Sequence, residues 1–165
     1  MATSGIIGRI SIAHHARITR RAHPVRTLRP PLRPAGGEWS IREIINHVAE
    51  VEVRAAFFMH VALGNPGAAL SIDWFPETNL RWGSALGFER RAIGPALDVI
   101  RATRMYMGTV LEALGGCEER YVLVSGGEIG AEPTQLSVAR CVRGYTEHID
   151  EHVAEIRRIR ALHGV

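Results

Sequence analysis

The sequence predicts an all-α protein, an antiparallel bundle of amphipathic helices. Three long segments repeat apolar residues at three- and four-residue steps, and loops rich in glycine and proline separate them. The chain has 165 residues, 46% apolar and 22% charged, which corresponds to about one globular domain. No internal repeat, phosphate-binding loop or dinucleotide fingerprint interrupts this pattern.

Composition narrows the cellular setting. The longest uncharged run, residues 55–72, contains Gly64 and Pro66, so it is not a membrane-spanning helix and we expect no membrane partner. The two cysteines, Cys117 and Cys141, are too few for a disulfide framework. We therefore expect a cytoplasmic protein, in which Cys141 is a core residue and Cys117 a free loop cysteine.

The N-terminal segment, residues 1–36, differs from the remaining domain, residues 37–165. Residues 1–37 contain seven arginines and no acidic residue, whereas residues 38–165 contain 13 arginines against 17 acidic residues. Four of the eight prolines also lie in this segment. An atypical first helix over about residues 4–22 competes with a transit-like leader or a nucleic-acid arm. We disfavour nucleic acid because the segment has no aromatic residue for stacking.

The first clear helix begins at Ile41. Ser40 and Glu43 have the spacing of a capping box, and Trp39 and Ile44 occupy the positions of a hydrophobic staple. Apolar residues then recur at helical spacing until the sequence Gly64-Asn65-Pro66-Gly67 ends the helix. The predicted apolar face comprises Ile44, Val48, Val51, Ala55, Phe58 and Ala62.

The middle of the chain is less regular. Residues 71–75 indicate an apolar loop, and residues 77–93 allow a short helix that Gly83 and Gly87 weaken. Gly94-Pro95 predicts the start of the next helix, because proline is tolerated in a first turn. Its apolar face is expected at Leu97, Ile100, Met107, Leu111 and Leu114, and Gly115-Gly116 ends it. Residues 121–124 predict a short strand before the turn-rich residues 125–133.

The last helix carries the candidate chemistry. Ser137 is the predicted N-cap, and one face of the helix is expected to carry Cys141, Tyr145, His148, His152, Ile156 and Ile159. His148 and His152 are one turn apart, so both imidazoles could reach one metal ion. Eight histidines in 165 residues would produce roughly 0.4 such pairs by chance, so the spacing alone is a weak signal.

His47 is the predicted third ligand, since it lies between Ile44 and Val51 on the inward face of the first clear helix. Three imidazoles with an open position are typical of a catalytic metal site, whereas a structural site is normally closed by a fourth ligand. Glu147, Asp150 or Glu151 could orient the imidazoles. The alternative interpretation is three separate histidines, each satisfied by local hydrogen bonds.

At these residues the sequence resembles a known family. Residues 37–47, Gly-Glu-Trp-Ser-Ile-Arg-Glu-Ile-Ile-Asn-His, resemble the start of the second helix of the DinB family. These damage-inducible-type four-helix bundles include bacillithiol transferases and are related to mycothiol-dependent maleylpyruvate isomerases. The segment from Ser137, with His148-x-x-x-His152 and Glu155-Ile156, resembles the fourth helix of the family. The resemblance covers about residues 37–160, and residues 1–36 depart from the acidic first helix usual in the family.

The resemblance implies a four-helix bundle with a long crossover, often dimeric. It implies that His47, His148 and His152 bind a divalent metal such as zinc, nickel or iron. It also implies an enzyme that activates a low-molecular-weight thiol, such as mycothiol or bacillithiol, for transfer to an electrophilic small molecule. Two alternatives remain open: a metal-dependent hydrolase, and a non-catalytic, stress-associated bundle that binds metal or dimerises.

Overall fold

The computed structural model describes residue 34, residues 38–75 and residues 79–165. The chain divides into two units, Met1–Pro30 and Pro31–Val165, and all the described residues belong to the second. The helix expected over about residues 4–22 lies outside the described residues, as does nearly all of the N-terminal segment.

The described part of the chain forms four helices and three short strands. The helices are α1 (Ile41–Gly64), α2 (Asn79–Ala85), α3 (Ile93–Leu114) and α4 (Val138–Leu162). The strands are β1 (Ala69–Ser71), β2 (Tyr121–Gly126) and β3 (Gly130–Ser137), and a 3-10 turn, Gly127–Ile129, joins the last two. Within these residues, no helix combines the length and the apolar content needed to cross a bilayer.

Helix α1 begins at the predicted capping box. The Ser40 hydroxyl accepts a hydrogen bond from the Glu43 amide, and the Glu43 carboxylate accepts one from the Ser40 amide at 2.9 Å. Trp39 packs against the small apolar cluster that contains Ile44, so the predicted staple is confirmed. The helix ends at Gly64, where the sequence Gly64-Asn65-Pro66-Gly67 predicts its end. The Asn65 amide donates a hydrogen bond to the Val61 carbonyl in the last turn.

Helices α3 and α4 also begin and end close to the predicted residues, with Gly115 after α3 and Ser137 as the N-cap of α4. The apolar face predicted for α3 is only partly correct. Met107 is buried, whereas Leu97 and Leu114 are 43% and 40% exposed. The buried residues of α3 are Ala96 and Met107, about three turns apart, so a narrow stripe of the helix is covered in the described structure.

Helices α3 and α4 both pack on α1. Helix α3 runs in the same direction as α1, since Asn46 shares a cavity with Ala96, and Met59 shares another with Met107. Helix α4 runs the opposite way, because Arg158 near its end pairs with Glu38 before α1. The connection from α1 to α3 therefore returns along the molecule, and it contains β1 and α2.

The small sheet corrects the prediction of an all-α fold. Strand β1 pairs in parallel with β2, and β2 pairs antiparallel with β3, with Leu70 opposite Val124 and Val122 opposite Leu136. Only β2 was predicted. The turn predicted within residues 125–133 is found at Gly127–Ile129, but the prediction is wrong for Gly130 to Pro133, which belong to β3. Strand β3 is an edge strand, where proline is tolerated.

Two apolar clusters stabilise the described unit. The larger lies between the second half of α1 and the sheet, and its buried members are Ala55, Met59, Ala62, Leu63, Met107, Cys117, Val122, Val124, Val138 and Cys141. The smaller lies at the start of α1, where Ile44 and Val48 pack with Ile159 from the end of α4. The prediction that Cys141 is a core residue is confirmed.

Candidate metal centre

His47 lies in the second turn of α1 and is 3% exposed. The capping box fixes where the helix begins, and therefore which side of α1 carries this imidazole. The Trp39 ring contacts the His47 ring, with 4.6 Å between ring centroids. His47 therefore lies on α1, the helix whose start the sequence predicts from a capping box.

His148 and His152 lie one turn apart on α4, and the rings of both contact the His47 ring on α1. The Nε2 atoms of His47 and His148 are 3.2 Å apart, and the centroid of the His152 ring is 5.1 Å from that of His47. One nitrogen from each of the three rings lies within 4.8 Å of the others. The structure therefore brings together all three residues that the sequence singled out.

The donor set fits a divalent ion. A tetrahedral zinc ion with bonds of about 2.0–2.1 Å places its ligand nitrogens about 3.3–3.4 Å apart, close to the His47–His148 separation. The Nδ1 atom of His152 contacts a Glu155 carboxylate oxygen at 2.9 Å, which directs Nε2 of the same ring away from Glu155. A carboxylate on the second nitrogen is the usual support of a metal-binding histidine.

The surroundings of His47 and His148 favour the neutral form of both imidazoles. Burial and, to a smaller extent, positive charge on His148, His152 and Arg54 together lower the pKa of His47 to about 3. Burial also lowers the pKa of His148, with smaller contributions from His152 and Arg54, while Glu151 acts in the opposite direction. Neutral imidazole is the form that binds metals, so these two rings do not have to lose a proton at neutral pH.

The supporting carboxylate differs from those predicted. Glu155 contacts His152, whereas Glu147, Asp150 and Glu151 are exposed and none of them makes a hydrogen bond to an imidazole in the described part of the chain. Residues at positions i and i+3 of a helix are neighbours, so Glu155 can reach back over one turn. Glu147 and Asp150 precede His152 by five and two residues, which places them on other sides of α4.

A cavity of about 330 Å³ opens beside two of the histidines. Its walls are formed by His47, Val51, Arg54, Asn79, Leu136, Gly144, Tyr145 and His148. The Arg54 guanidinium lies over the Phe75 ring, 4.3 Å from its centroid, and Phe75 packs against Trp82. The site thus has an accessible side, with one cationic wall.

The comparison with protein families agrees with this geometry. The family model of the DinB superfamily matches residues 15–156. The chain belongs to the DinB superfamily. Members of this superfamily commonly bind a metal, and the three histidines could hold one. Neither the search of curated proteins nor the search of solved structures found a match.

Other candidate residues of this DinB-superfamily chain lie away from the centre. Cys117 and Cys141 are both 2% exposed and unpaired by any disulfide, and burial raises the pKa of Cys141 to about 11. His60 is exposed, stacks on Tyr106 and lies more than three turns beyond His47 on α1, too far to join it. Trp74 contacts Trp82 but is 58% exposed, so it is not a core residue.

Sequence reasoning missed Glu155, Arg54 and Asn79 as site residues. Two of them could have been found from spacing, because Glu155 is one turn beyond His152, and Arg54 is two turns beyond His47 on the same side of α1. Asn79 begins α2, in the connection between α1 and α3. No local signal relates that connection to the histidines, and only the folded chain places Asn79 at the cavity.

Proposed function

We propose that His47, His148 and His152 bind one divalent metal ion, with which this protein activates a low-molecular-weight thiol for transfer to an electrophilic small molecule. The observation that supports the proposal is the convergence of three imidazole donors beside an accessible cavity. A structural site normally has a fourth protein ligand, whereas a catalytic site keeps a position for substrate.

A divalent ion held by these imidazoles would lower the pKa of a coordinating thiol, which is otherwise near 8.5, so that the thiolate predominates at neutral pH. The protein positions the imidazole donors. His47 contributes a buried, neutral donor, and Glu155 fixes the orientation of His152. The cavity beside His47 and His148 would give a substrate access to these two rings from one side.

The lining of the cavity favours thiol transfer over hydrolysis. Activation of water is assisted by a general base, most often a carboxylate or a histidine. Among the described residues that line the cavity, none is Asp or Glu, and the two histidines are proposed ligands. A thiol needs less assistance, because its own pKa is already close to neutral.

Further details of the proposal rest on the family resemblance alone. They are zinc, nickel or iron as the metal, mycothiol or bacillithiol as the thiol, a homodimer, a role in stress and a cytoplasmic location. None of them is needed for the test of the metal site.

Metal stoichiometry and turnover test the proposal in two stages. We expect wild-type protein reconstituted with zinc to retain one ion per chain after desalting, and the His148→Ala variant to retain none. The His60→Ala variant is the matched control, because His60 is an exposed histidine of α1 outside the cluster. Folding of each variant is checked by circular dichroism.

The second stage measures the rate at which the zinc-loaded protein joins mycothiol, bacillithiol or cysteine to 1-chloro-2,4-dinitrobenzene. The proposal predicts a rate above that of the free thiol, lost in His148→Ala and kept in His60→Ala. Zinc binding without any acceleration by these thiols would favour the non-catalytic alternative, and folded wild-type protein without bound metal would contradict the proposal.

A further inference from the structure

Tyr145 is a partly buried residue of the cavity that thiol activation leaves unused. It lines the cavity together with His47 and His148, and among the described residues of the lining it is the one with a hydroxyl group. We propose that this hydroxyl donates a hydrogen bond to an acceptor oxygen of the electrophile, so that the protein favours electrophiles whose oxygen gains negative charge, such as α,β-unsaturated ketones. The inference rests on the proposed function, because it concerns the second substrate of the same reaction.

Helix α4 presents Tyr145 on the same side as the proposed metal ligands. Tyr145 precedes His148 by three residues, which is about 4.5 Å along the helix axis. Residues three apart are neighbours on a helix surface, so a ligand beside His148 can also contact the tyrosine. In an α,β-unsaturated ketone only a few bonds separate the reactive carbon from the oxygen. A small electrophile could therefore hold its oxygen at Tyr145 and its reactive carbon near the histidines.

The hydroxyl of Tyr145 is open to such a ligand. It makes no hydrogen bond to any of the described residues, and its oxygen is not one of the fully buried atoms that lack a partner, so part of the oxygen stays accessible. A tyrosine hydroxyl that is partly withdrawn from water usually has a hydrogen-bond partner. Arg54, a cation on the same lining, already has another interaction. The described residues therefore leave the Tyr145 hydroxyl as a donor for a ligand.

The ring of Tyr145 is held in place before any ligand arrives. It packs against the larger apolar cluster, which contains Cys141 one turn earlier on α4. A side chain that is fixed by packing loses little conformational freedom when its polar end binds a ligand. Because these contacts are made by the ring, Tyr145→Phe removes the donor and keeps the packing.

The hydroxyl also keeps its proton at neutral pH. Burial, and to a smaller extent Cys141 and Glu52, raise the pKa of Tyr145 to about 12. The Arg54 charge acts in the opposite direction. A phenol with this pKa is a hydrogen-bond donor and not a general base at neutral pH. Such a donor suits an oxygen that becomes negative during the reaction.

Addition of a thiol to an α,β-unsaturated ketone places charge where this donor can act. The thiol releases its proton to solvent, and its sulfur forms a bond to the β-carbon. The electrons of the carbon–carbon double bond shift towards the carbonyl group, whose oxygen becomes an enolate oxygen and accepts the hydrogen bond from Tyr145. A proton from water then adds to the α-carbon, so the product contains all the atoms of the thiol and the ketone.

The first test measures the hydrogen bond by binding alone, in metal-free protein. Cyclohexanone, an unreactive ketone, and methylenecyclohexane, which has a similar shape and no oxygen, are titrated while the NMR signals of isotope-labelled tyrosines are followed. The ratio of the two affinities is compared between variants, because the two ligands differ in hydration. One neutral hydrogen bond is equivalent to about 2- to 12-fold in affinity. We expect the ketone-to-hydrocarbon ratio to fall by this factor in Tyr145→Phe and to stay unchanged in the control Tyr106→Phe, an exposed tyrosine of α3.

The second test determines which substrate accepts the hydrogen bond. Zinc-loaded protein and the three thiols named above are assayed with cyclohexenone and with benzyl bromide, which has no oxygen. Loss of a hydrogen bond to a charged group costs about 10- to 100-fold. We expect Tyr145→Phe to lower the rate with cyclohexenone by this factor and to leave the rate with benzyl bromide unchanged. Equal losses with both electrophiles would assign the hydroxyl to the thiol or to packing and would overturn the inference.

The two tests together distinguish failure of this inference from failure of the proposed function. If no thiol is accelerated with either electrophile, while cyclohexanone still shifts the Tyr145 signal and its affinity depends on the hydroxyl, the ketone site stands and thiol transfer does not. If thiols are accelerated, but neither the affinity ratio nor the cyclohexenone rate depends on the Tyr145 hydroxyl, the inference is overturned and thiol transfer stands.

Discussion

The two ends of the α1–α4 interface differ in what they bury. Near Gly64, α1 buries Ala55, Met59 and Ala62 in an apolar cluster that also contains Cys141 and residues of the sheet. Near Ser40, α1 buries His47 among two further imidazoles, with a smaller apolar cluster alongside. The apolar end contributes stability through area removed from water, whereas the histidine end removes polar groups from water at a cost.

From this difference we predict which residues affect folding and which affect metal binding. Apolar side chains near the histidines are needed to hold α1 and α4 at the observed spacing. The imidazoles and their hydrogen-bond partners contribute little to that packing, and their arrangement serves ligand binding. Substitutions of the two kinds should therefore separate stability from metal affinity.

The largest expected change in stability comes from Ile159→Ala, since Ile159 is 0% exposed in the smaller apolar cluster. Loss of a buried isoleucine side chain lowers the free energy of unfolding by about 2–5 kcal/mol. Urea denaturation of the metal-free protein measures it. The folded variant should still bind one zinc ion, and a folded variant without metal would show that packing and ligation are not separable.

Glu155→Gln should change metal affinity and leave the stability of the metal-free protein nearly unchanged. The carboxylate contacts Nδ1 of His152, and loss of such support costs about 10- to 100-fold in metal affinity. Competition with a chromophoric chelator gives the affinity. Glu147→Gln is the matched control because Glu147 is an exposed residue of the same helix, and equal effects of both substitutions would argue against positioning by Glu155.

Ser40→Ala tests the start of α1, which positions His47. Loss of a capping hydroxyl lowers the free energy of unfolding by about 0.5–2 kcal/mol, and the buried Glu43 carboxylate also loses its 2.6 Å bond from this hydroxyl. Thermal denaturation followed by circular dichroism measures the change. Ser84→Ala, at an exposed position of α2, should have almost no effect. A smaller change at Ser40 than at Ser84 would contradict the capping role.

The smallest change is expected for the ion pair between Arg158, near the end of α4, and Glu38, just before α1. The two side chains are 2.8 Å apart at one end of the α1–α4 interface. Both side chains are half exposed, so Arg158→Ala should lower the free energy of unfolding by less than about 1 kcal/mol. The difference from wild type should shrink further in 1 M salt. A loss as large as that of Ile159→Ala would mean that charge, rather than apolar packing, holds this end together.

Local sequence patterns predicted the helical framework and the histidine cluster. The capping box around Ser40 and the glycines after α1 and α3 determine helix ends through bonds within a few residues, so they can be read without knowing the fold. His148 and His152 are related by helical spacing alone. His47 was a candidate because it lies on the inward face of α1, and the resemblance to DinB proteins supported placing it beside the other two, since nothing local relates residues about 100 positions apart.

The features that the sequence did not predict depend on contacts between distant segments of the chain. Strand β3 contains Pro133 and no apolar alternation, so it becomes a strand only because β2 offers a partner. Gly83 was expected to weaken a helix, but a side chain there would lie 2.7 Å from the Phe88 ring, so glycine permits that packing. The cavity wall combines Arg54 from α1 with Asn79 from the connection, which no periodicity relates.

The contact between Trp39 and His47 makes Trp39 an intrinsic fluorescence probe of the histidine cluster. The indole lies against a proposed ligand, with 4.6 Å between ring centroids, whereas Trp74 and Trp82 pack against one another. Nickel or cobalt bound to His47 would quench indole emission at this short range, and zinc, with its filled d shell, would quench it far less. Fluorescence of the unlabelled chain can therefore follow occupancy of the centre in real time and discriminate between metals.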